Sequence, residues 1–299
     1  MKILQYYLTD DTDRTRVGIY TKSGIIDLGN ATQTLGIYVP NHLKTIMNGD
    51  FQVQLEEIEN YYIHHSHEVT FLDESDIIYA PIVAHPEKIV CVGLNYHDHV
   101  SESGLGDDPE EPILFSKFNN ALAANEQVIP LTGHGEQYDY EGELVVVIGK
   151  AGKNIDPEDA LDYVYGYSIG NDVSVRDLQF KSGQWLIGKT NDFSAPVGPY
   201  ITTKDEVDVQ NLTIQTLRNG EMVQSANTSQ MIFDVPAIIA YISKFMTLQI
   251  GDIILTGTPS GVVLGYDEDK QDWLNAGDEI IISIEGLGSL TNTFEISED

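Results

Sequence analysis

Two carboxylates stand one residue apart at the start of an apolar run, and this pair constrains the fold more than any other feature. The run reads Glu141-Gly142-Glu143 followed by Leu-Val-Val-Val-Ile, and its β-branched residues predict a buried strand. Alternate residues of a strand point to the same face, so Glu141 and Glu143 should project together. Adjacent like charges destabilise a sheet unless a cation lies between them, and a hard divalent ion with oxygen ligands is the simplest partner. A solvated strand end is the alternative, and the pair alone does not choose between them.

The charge balance excludes several classes of partner. The 299 residues include 47 acidic and 16 basic side chains, a formal net charge of −31. Nucleic acid and anionic membranes require local positive surface, so neither is expected as a partner. The single cysteine, Cys91, excludes an internal disulfide framework, and its apolar surroundings indicate a structural thiol. The N-terminus lacks a signal-peptide pattern and no run of about 18 apolar residues occurs, so we expect a soluble cytoplasmic protein.

The first quarter of the chain has the pattern of a small α+β module. Its predicted elements are two short strands and two helices: Arg16–Tyr20, Gly24–Leu28, Leu43–Met47 and Val53–Tyr62. Residues 73–86 carry two prolines and are predicted to be extended. We place the domain boundary there, with a small N-terminal domain at 1–75 and a catalytic domain at 76–299.

Short apolar strands dominate from Lys88 onwards. The clearest of them are Lys88–Val92, Leu144–Ile148, Tyr163–Ile169, Asp252–Thr256 and Glu279–Ile284. One clear helix follows Asp234, because apolar residues recur with helical spacing from Ile238 to Phe245. Strands and helices do not alternate regularly, so a doubly wound parallel sheet is not expected. The pattern predicts an α+β fold that is predominantly β.

A phosphate-binding motif occurs at residues 183–190, where GQWLIGKT fits the pattern G-x-x-x-x-G-K-[ST]. A phosphate loop needs an apolar strand before it and a helix N-terminus after it. Neither flank has that character, and Pro196 would fall in the second turn of the helix. Trp185, Leu186 and Ile187 indicate a strand instead, so a P-loop nucleotide-binding protein is only a distant alternative.

Histidines occur in two arrangements of chemical interest. His64, His65 and His67 are close in sequence, but adjacent histidines seldom converge on one ion, so a polar linker is the preferred interpretation. His99 and Glu102 are three residues apart on a predicted helical turn and therefore share a face. A carboxylate that orients an imidazole makes a general base that works near neutral pH, although exposed pairs of this kind are often inert.

Two further segments add polar groups to the predicted site. Asp172 follows a predicted strand and offers a third carboxylate, which would leave about three of six octahedral positions for water or substrate. The segment Thr256–Val262 reads TGTPSGV, a glycine-flanked turn whose N–H groups and hydroxyls suit an anion. An ordinary turn is the alternative for this segment.

Taken in chain order, these motifs resemble the fumarylacetoacetate hydrolase (FAH) family. The ordered set is Val92-Gly93-Leu94-Asn95-Tyr96, His99-x-x-Glu102, Asp139-Tyr140-Glu141-Gly142-Glu143, Gly170-Asn171-Asp172 and Thr256-Gly257-Thr258-Pro259-Ser260-Gly261-Val262. The resemblance covers roughly residues 80–297 and is greatest to bacterial members with a small extra N-terminal domain, some of them described as oxaloacetate decarboxylases. It implies an FAH-type mixed β-roll core and, commonly, a homodimer.

The resemblance also implies roles for individual residues. Glu141, Glu143 and Asp172 would hold Mg²⁺ or Mn²⁺. His99 and Glu102 would form a water-activating dyad on a lid that includes Glu102–Glu111. The remaining assignments are Lys189 as a catalytic residue, and Lys117, Gln179 and Thr258 as substrate-binding residues. Some members carry a basic residue where this chain has Leu94.

The implied reaction is cleavage of a carbon–carbon bond in a 2,4-dioxo acid of the acylpyruvate or fumarylpyruvate type. The metal would stabilise a pyruvate enolate as the leaving group. Decarboxylation of oxaloacetate and isomerisation of 2-hydroxyhepta-2,4-diene-1,7-dioate pass through related anions. Both reactions therefore stay open as alternatives on the same site, with a small 2-oxo acid as the substrate class.

Overall fold

Strands form most of the regular structure in residues 1–104 and 107–297, the part of the chain that the computed structural model describes. In chain order they are β1 (Lys2–Leu8), β2 (Asp11–Thr21), β3 (Gly24–Asp27), β4 (Ile77–Tyr79), β5 (Ile89–Gly93), β6 (Ile113–Lys117), β7 (Leu122–Ala123), β8 (Ile129–Leu131), β9 (Tyr138–Asp139), β10 (Gly142–Ile148), β11 (Val164–Asn171), β12 (Ser174–Val175), β13 (Ala195–Thr203), β14 (Thr213–Arg218), β15 (Glu221–Asn227), β16 (Ile253–Leu255), β17 (Glu279–Ile284) and β18 (Gly288–Ile296).

The helices are short and lie between these strands. They are α1 (Leu28–Leu35), α2 (Leu43–Asn48), α3 (Gln52–His64), α4 (His97–Ser103), α5 (Arg176–Gln179), α6 (Leu186–Lys189) and α7 (Val235–Phe245). The Asp234 carboxylate caps α7 by accepting from the Ala237 N–H at 2.9 Å, which is why this helix begins where the sequence predicts. The predicted α+β, predominantly β fold is confirmed. None of the described helices is long and apolar enough to cross a membrane.

A large mixed sheet and a smaller antiparallel-rich sheet enclose the main core. The large sheet runs β3-β2-β1-β13-β11-β10-β16-β5-β6, with β4 beside β1 and β7 beside β13, and the smaller sheet runs β15-β14-β17-β18-β8. Strand β10 is buried on both faces. Leu144 and Val146 pack in the same cluster as Ile282 of the smaller sheet, whereas Val145 and Val147 point the other way. Burial on both faces explains the uninterrupted apolar run of this strand.

The N-terminal portion continues the large sheet. Strand β1 pairs antiparallel with β13, with Ile3 opposite Ile201. Ile3 and Ile58 join a cluster that also contains Val147 of β10. The first 75 residues therefore cover one face of the strands that carry the predicted site, while the domain boundary at that position stays a prediction.

Strand pairing brings the predicted motifs to one edge of the large sheet. Glu143 of β10 lies opposite Gly170 of β11, so the start of β10 meets the end of β11. Strand β16 runs antiparallel to β10, and β5 runs parallel to β16. The segments that follow β5, β11 and β16 therefore leave the sheet at the start of β10.

The strand predicted inside residues 183–190 is wrong, because Leu186–Lys189 form the short helix α6. A Cβ on Gly188 would lie 2.4 Å from the backbone nitrogen of Gln179, so α6 packs directly against α5. This close packing of two helical turns overrides the local β propensity of Trp185, Leu186 and Ile187.

Candidate active site

Three buried carboxylates converge where β10 begins and β11 ends. Glu141 stands just before β10, Glu143 lies within it, and Asp172 follows β11. One carboxylate oxygen from each residue lies within 4.8 Å of the others. The Asp172 N–H donates to the Glu141 carbonyl at 3.0 Å, which ties the two segments together. Among residues 1–104 and 107–297, this is the one group of at least three such side chains close enough to share a metal ion.

Buried cations compensate part of this negative charge. The Lys189 ammonium lies 2.7 Å from Glu141 Oε2 and 2.9 Å from Asp172 Oδ2. Burial opposes ionisation of Glu141, but the charges of Lys189, Arg176 and His99 outweigh it and lower the pKa of this carboxyl. Burial likewise lowers the pKa of Lys189, and the charges of Asp172 and Glu141 raise it overall. Both side chains are therefore ionised in the folded protein.

Glu143 has a different environment from its two neighbours. Its Oε2 accepts from the Gly257 N–H at 2.8 Å, and no basic side chain of the described residues forms an ion pair with it. Burial, together with the charges of Asp172 and Glu141, raises the pKa of Glu143 well above its usual range. A cation placed between the three carboxylates would remove this penalty.

The donor set fits a hard divalent ion. Asp172 Oδ1 is buried without a hydrogen-bond partner, although the Lys117 ammonium forms an ion pair with it at 2.8 Å. All three candidate ligands supply carboxylate oxygens, which Mg²⁺ and Mn²⁺ prefer. The site therefore combines closely spaced buried carboxylates, the carboxylate of Glu143 without a basic partner among the described residues, and suitable ligand chemistry.

Lys117 lies deeper than a pocket residue. Its ammonium is buried and, besides Asp172, contacts the carbonyl of Val173 at 3.1 Å and Ser194 Oγ at 3.2 Å. It also donates to the Lys189 carbonyl. Lys117 thus supports Asp172 and the end of α6 from within the protein, and its predicted role in substrate binding stays a prediction.

An arginine and an aspartate that sequence reasoning did not select stand behind Glu141. The Arg176 guanidinium contacts Asp139 Oδ2 through Nε at 2.9 Å and Nη2 at 2.8 Å, and Nη2 also lies 2.8 Å from Glu141 Oε1. Its Nη1 donates to Gln179 Oε1 at 3.0 Å, which orients that predicted substrate-binding residue. The scarcity of basic residues in this acidic chain was the one sequence signal that could have selected Arg176.

In the His99–Glu102 pair, His99 is buried and Glu102 is half-buried. His99 Nδ1 lies 2.8 Å from Glu102 Oε1 within α4, and the His99 side chain is 7% exposed. Glu102 Oε2 accepts from the Gly261 N–H at 2.8 Å. The pair therefore lies in the site and not on an open helix surface.

One pocket connects these groups. Its polar wall is formed by Glu141, Glu143, His99, Arg176, Gln179, Lys189 and Thr258. Its apolar wall is formed by Val92, Leu94, Phe115, Phe180, Trp185 and Leu264. Phe115 and Trp185 pack edge to face with ring centroids 5.4 Å apart. The apolar wall limits access of water to the carboxylates, which strengthens electrostatic interactions inside the pocket.

The turn after β16 uses its donors on carboxylates of the same chain. Its Gly257 and Gly261 N–H groups bind Glu143 and Glu102, as described above. The Thr258 hydroxyl donates to the Gly142 carbonyl at 3.0 Å and accepts from Gln224 Nε2 at 2.9 Å. Gln224, which sequence reasoning missed, therefore fixes the orientation of Thr258 at the pocket.

Three further features of the sequence are the predicted lid, Cys91 and the histidine cluster that begins at residue 64. Of the predicted lid Glu102–Glu111, residues 105 and 106 lie outside the described part of the chain. Its far end is attached by the Tyr241 hydroxyl, which donates to Glu111 Oε2 at 3.1 Å. Cys91 is buried, and burial raises the pKa of its thiol. The histidines at 64 and 65 make local contacts at the end of α3: each ring contacts a backbone carbonyl one turn earlier, and the His65 ring stacks on Tyr61 with centroids 4.2 Å apart.

The phosphate-binding interpretation of residues 183–190 finds no support in this arrangement. The lysine that would contact phosphates, Lys189, is bound by Glu141 and Asp172. An anionic phosphate beside two carboxylates would meet repulsion there. The motif is a coincidence of sequence at the end of α6.

The sequence is similar to curated relatives over most of its length. It is 40% identical over 304 residues to the fumarylacetoacetate hydrolase domain-containing protein 2 homolog of Dictyostelium discoideum, a match covering 98% of this chain and 96% of the relative. It is 39% identical to oxaloacetate tautomerase fahd2, mitochondrial, of Xenopus laevis, covering 98% and 89%. It is 44% identical to oxaloacetate tautomerase YisK of Bacillus subtilis, covering 72% of each.

Solved structures share the whole fold. Fumarylacetoacetate hydrolase from Exiguobacterium antarcticum superposes with a TM-score of 0.81 at 32% identity, covering 99% of this chain and 100% of that one. Maleylpyruvate hydrolase from Sphingobium sp. SYK-6, solved in complex with manganese(II) and pyruvate, has a TM-score of 0.77 at 27% identity with both chains fully covered.

The family model for the C-terminal domain of fumarylacetoacetate (FAA) hydrolase matches residues 88–295. That range contains every residue of the pocket described above. The chain is an enzyme that belongs to the fumarylacetoacetate hydrolase family.

Proposed function

We propose that this protein is an oxaloacetate tautomerase that depends on Mg²⁺ or Mn²⁺ and interconverts the keto and enol forms of its substrate. The observation that carries the proposal is that Glu141, Glu143 and His99 line one pocket, with Asp172 grouped with the two glutamates and Glu102 bound to His99. The substrate is inferred from relatives in a frog and a bacterium that are named oxaloacetate tautomerases.

The charge of the site suits a 2-oxo acid. With every group counted as ionised, four buried carboxylates, the triad and Asp139, face three buried cations, which leaves a formal charge of one negative unit. A bound divalent ion would reverse that excess and supply Lewis-acid stabilisation to an enolate. Lys189 has three N–H donors and uses two on Glu141 and Asp172, which leaves one for a substrate oxygen.

His99 is the proposed base. Glu102 binds the Nδ1 side of the ring, so Nε2 carries the lone pair that takes a proton from C3 of oxaloacetate. The electrons of that C–H bond form the C2–C3 double bond, and the proton is returned to the C2 oxygen to give the enol. Glu102 stabilises the imidazolium between the two transfers.

Hydrolysis of an acylpyruvate is the second candidate. Its support is the maleylpyruvate hydrolase structure that contains manganese and pyruvate. In this reaction His99 would take a proton from water, the hydroxide would attack the 4-carbonyl, and the C3–C4 bond would break to leave pyruvate enolate. Decarboxylation of oxaloacetate and isomerisation of a hydroxyheptadienedioate use a related anion and belong in the same test.

A substrate panel separates these reactions. Purified protein with Mn²⁺ is given enol-oxaloacetate, acetylpyruvate, fumarylpyruvate and 2-hydroxyhepta-2,4-diene-1,7-dioate, with products identified by NMR and spontaneous rates subtracted. We expect kcat/KM to be highest for oxaloacetate tautomerisation. A higher value for either acylpyruvate would favour the hydrolase, and the absence of turnover on all four would overturn both. We also propose that the protein forms a homodimer. Light scattering of the active sample measures its oligomeric state.

A further inference from the structure

The carboxylate of Glu102 packs against a turn, and the residue of the turn at the contact is a glycine. The turn comprises residues Gly261–Gly265. Its first N–H, from Gly261, donates to Glu102 Oε2 at 2.8 Å, while the other oxygen of Glu102 contacts His99 Nδ1 at 2.8 Å. At the other end of the turn, a Cβ on Gly265 would lie 2.5 Å from Glu102 Oε2 and 2.6 Å from Cδ.

The turn itself is held from several directions. Asp139 Oδ1 accepts from the Val263 N–H at 2.8 Å and Oδ2 from the Leu264 N–H at 3.1 Å. The Tyr140 hydroxyl donates to the Gly261 carbonyl at 2.8 Å. Because Asp139 is also bound by Arg176, the turn is fastened to the buried ion pairs behind Glu141.

Backbone conformation does not explain the glycine at 265. Gly261 has φ of +105°, a region that favours glycine, but Gly265 is not among the glycines with positive φ. Alanine is therefore compatible with the backbone at 265. What excludes a side chain there is the space taken by Glu102.

We propose that Gly265 is a positioning residue, whose missing side chain lets Glu102 bind the turn and thereby hold His99 in the tautomer that its role as base requires. In a Gly265→Ala variant the fastened turn stays in place and the terminal atoms of Glu102 move. The His99 ring then loses its partner at Nδ1. The consequence for turnover rests on the proposed function, whereas the consequence for the imidazole does not.

The first test needs no substrate. Long-range ¹H–¹⁵N spectra of histidine-labelled protein, recorded above about pH 8, report which ring nitrogen carries the proton. His99→Asn identifies the signal. We expect the Nδ1–H form to dominate in the wild type and to lose that dominance in Gly265→Ala. Gly183→Ala is the matched control, because a Cβ at that exposed glycine meets nothing within 4 Å, and it should leave the tautomer unchanged.

The second test separates an effect through Glu102 from general damage. We expect Gly265→Ala to lower kcat by up to about 100-fold, the lower end of what general-base catalysis contributes, without changing Mn²⁺ affinity measured by calorimetry. In a Glu102→Ala background the same substitution should cost nothing further, because the space is already empty.

Each outcome decides the question. An unchanged His99 tautomer in Gly265→Ala, or an equal loss of kcat in the Glu102→Ala background, would overturn the proposal. If Gly265→Ala cannot be obtained folded but the double variant can, the clash lies at Glu102 and the proposal stands; if neither folds, it fails. Failure of the proposed function would be distinct, since the wild type would then lack turnover while the tautomer shift persists.

Discussion

The Arg176 guanidinium is bound through two nitrogens to one oxygen of Asp139, at 2.9 and 2.8 Å, and both side chains are buried. The other oxygen of Asp139 receives the N–H of Val263. One carboxylate thus joins the arginine behind Glu141 to the turn that binds Glu102. The two halves of the site, carboxylates and dyad, are therefore both held by Asp139.

Replacing Asp139 by Ala should destabilise the protein strongly. The change leaves the Arg176 charge buried with only Glu141 beside it, and breaking a buried pair costs about 3–5 kcal/mol. Urea denaturation measures the loss, with Asp50→Ala at an exposed position as the control. A loss equal to that of the control would show that Asp139 does not compensate Arg176.

Replacing Glu143 by Gln should abolish metal-induced stabilisation. Mn²⁺ at about 100 times its Kd is expected to raise the free energy of unfolding of the wild type by about 2.7 kcal/mol, because it binds only the folded state. The variant keeps the size of the side chain but lacks a charged ligand, so its Tm should not respond to Mn²⁺. Glu57→Gln, which is exposed, should respond as the wild type does. A retained response in Glu143→Gln would exclude this carboxylate as a ligand.

Replacing His99 by Ala should impair hydrolysis more than decarboxylation. Water attack needs a base, whose loss costs about 10²- to 10⁴-fold in kcat, whereas loss of CO₂ from oxaloacetate needs none. The two rates are compared on acetylpyruvate and oxaloacetate at saturating Mn²⁺. Equal losses in both reactions would contradict a water-activating role for His99.

The N-terminal portion and the rest of the chain should unfold together. Ile3 is buried, pairs with β13 and shares a cluster with Val147. Both tryptophans, Trp185 and Trp273, lie beyond residue 76, so their fluorescence reports only on the later part of the chain. Ile3→Ala should lower the free energy of unfolding by about 2–5 kcal/mol, because it removes buried side-chain volume. The urea midpoint measured by fluorescence should fall accordingly.

The control for this experiment is Val53→Ala on α3, where the side chain is 68% exposed. It should leave the midpoint nearly unchanged. If Ile3→Ala shifted only the circular-dichroism midpoint and not the fluorescence midpoint, the N-terminal portion would be an independently unfolding unit.

Asp278 should make stability depend on pH in the acid range. Burial opposes its ionisation, but donors from Asn275, Asn219 and Arg218 at 2.8, 2.6 and 2.7 Å outweigh burial and lower its pKa. A carboxyl whose pKa is lowered by folding stabilises the folded state at pH values above its pKa in the unfolded chain, about 3.9. This stabilisation is lost as the pH falls through the lower pKa of the folded state.

Asp278→Asn should therefore lower the free energy of unfolding by about 1 kcal/mol at pH 7, a value reduced for partial solvent screening, and by less at pH 3. Denaturation at a series of pH values measures the difference. The exposed Asp269→Asn is the control. A difference that stays constant between pH 7 and pH 3 would contradict the assignment.

Local sequence patterns were sufficient to predict a strand that is buried on both faces and a helix whose first residue is capped. The apolar run after Glu143 predicts β10 because both faces of that strand are covered, and Asp234 predicts the start of α7 because capping is a local interaction. The strand predicted at Trp185–Ile187 failed because the packing of α6 on α5 is not visible in a short window.

The amino-acid sequence by itself determined which candidate residues to look for: paired carboxylates before an apolar strand, a third carboxylate after the next one, and a histidine one helical turn from a glutamate. Spacing along the chain is enough for these, since alternation in strands and the period of a helix are local properties. Only the tertiary structure decided what surrounds them. Arg176 and Asp139 meet behind Glu141, and Gly265 makes room for Glu102 from 163 residues away, because contacts across separate strands and turns depend on sheet pairing that no local pattern encodes.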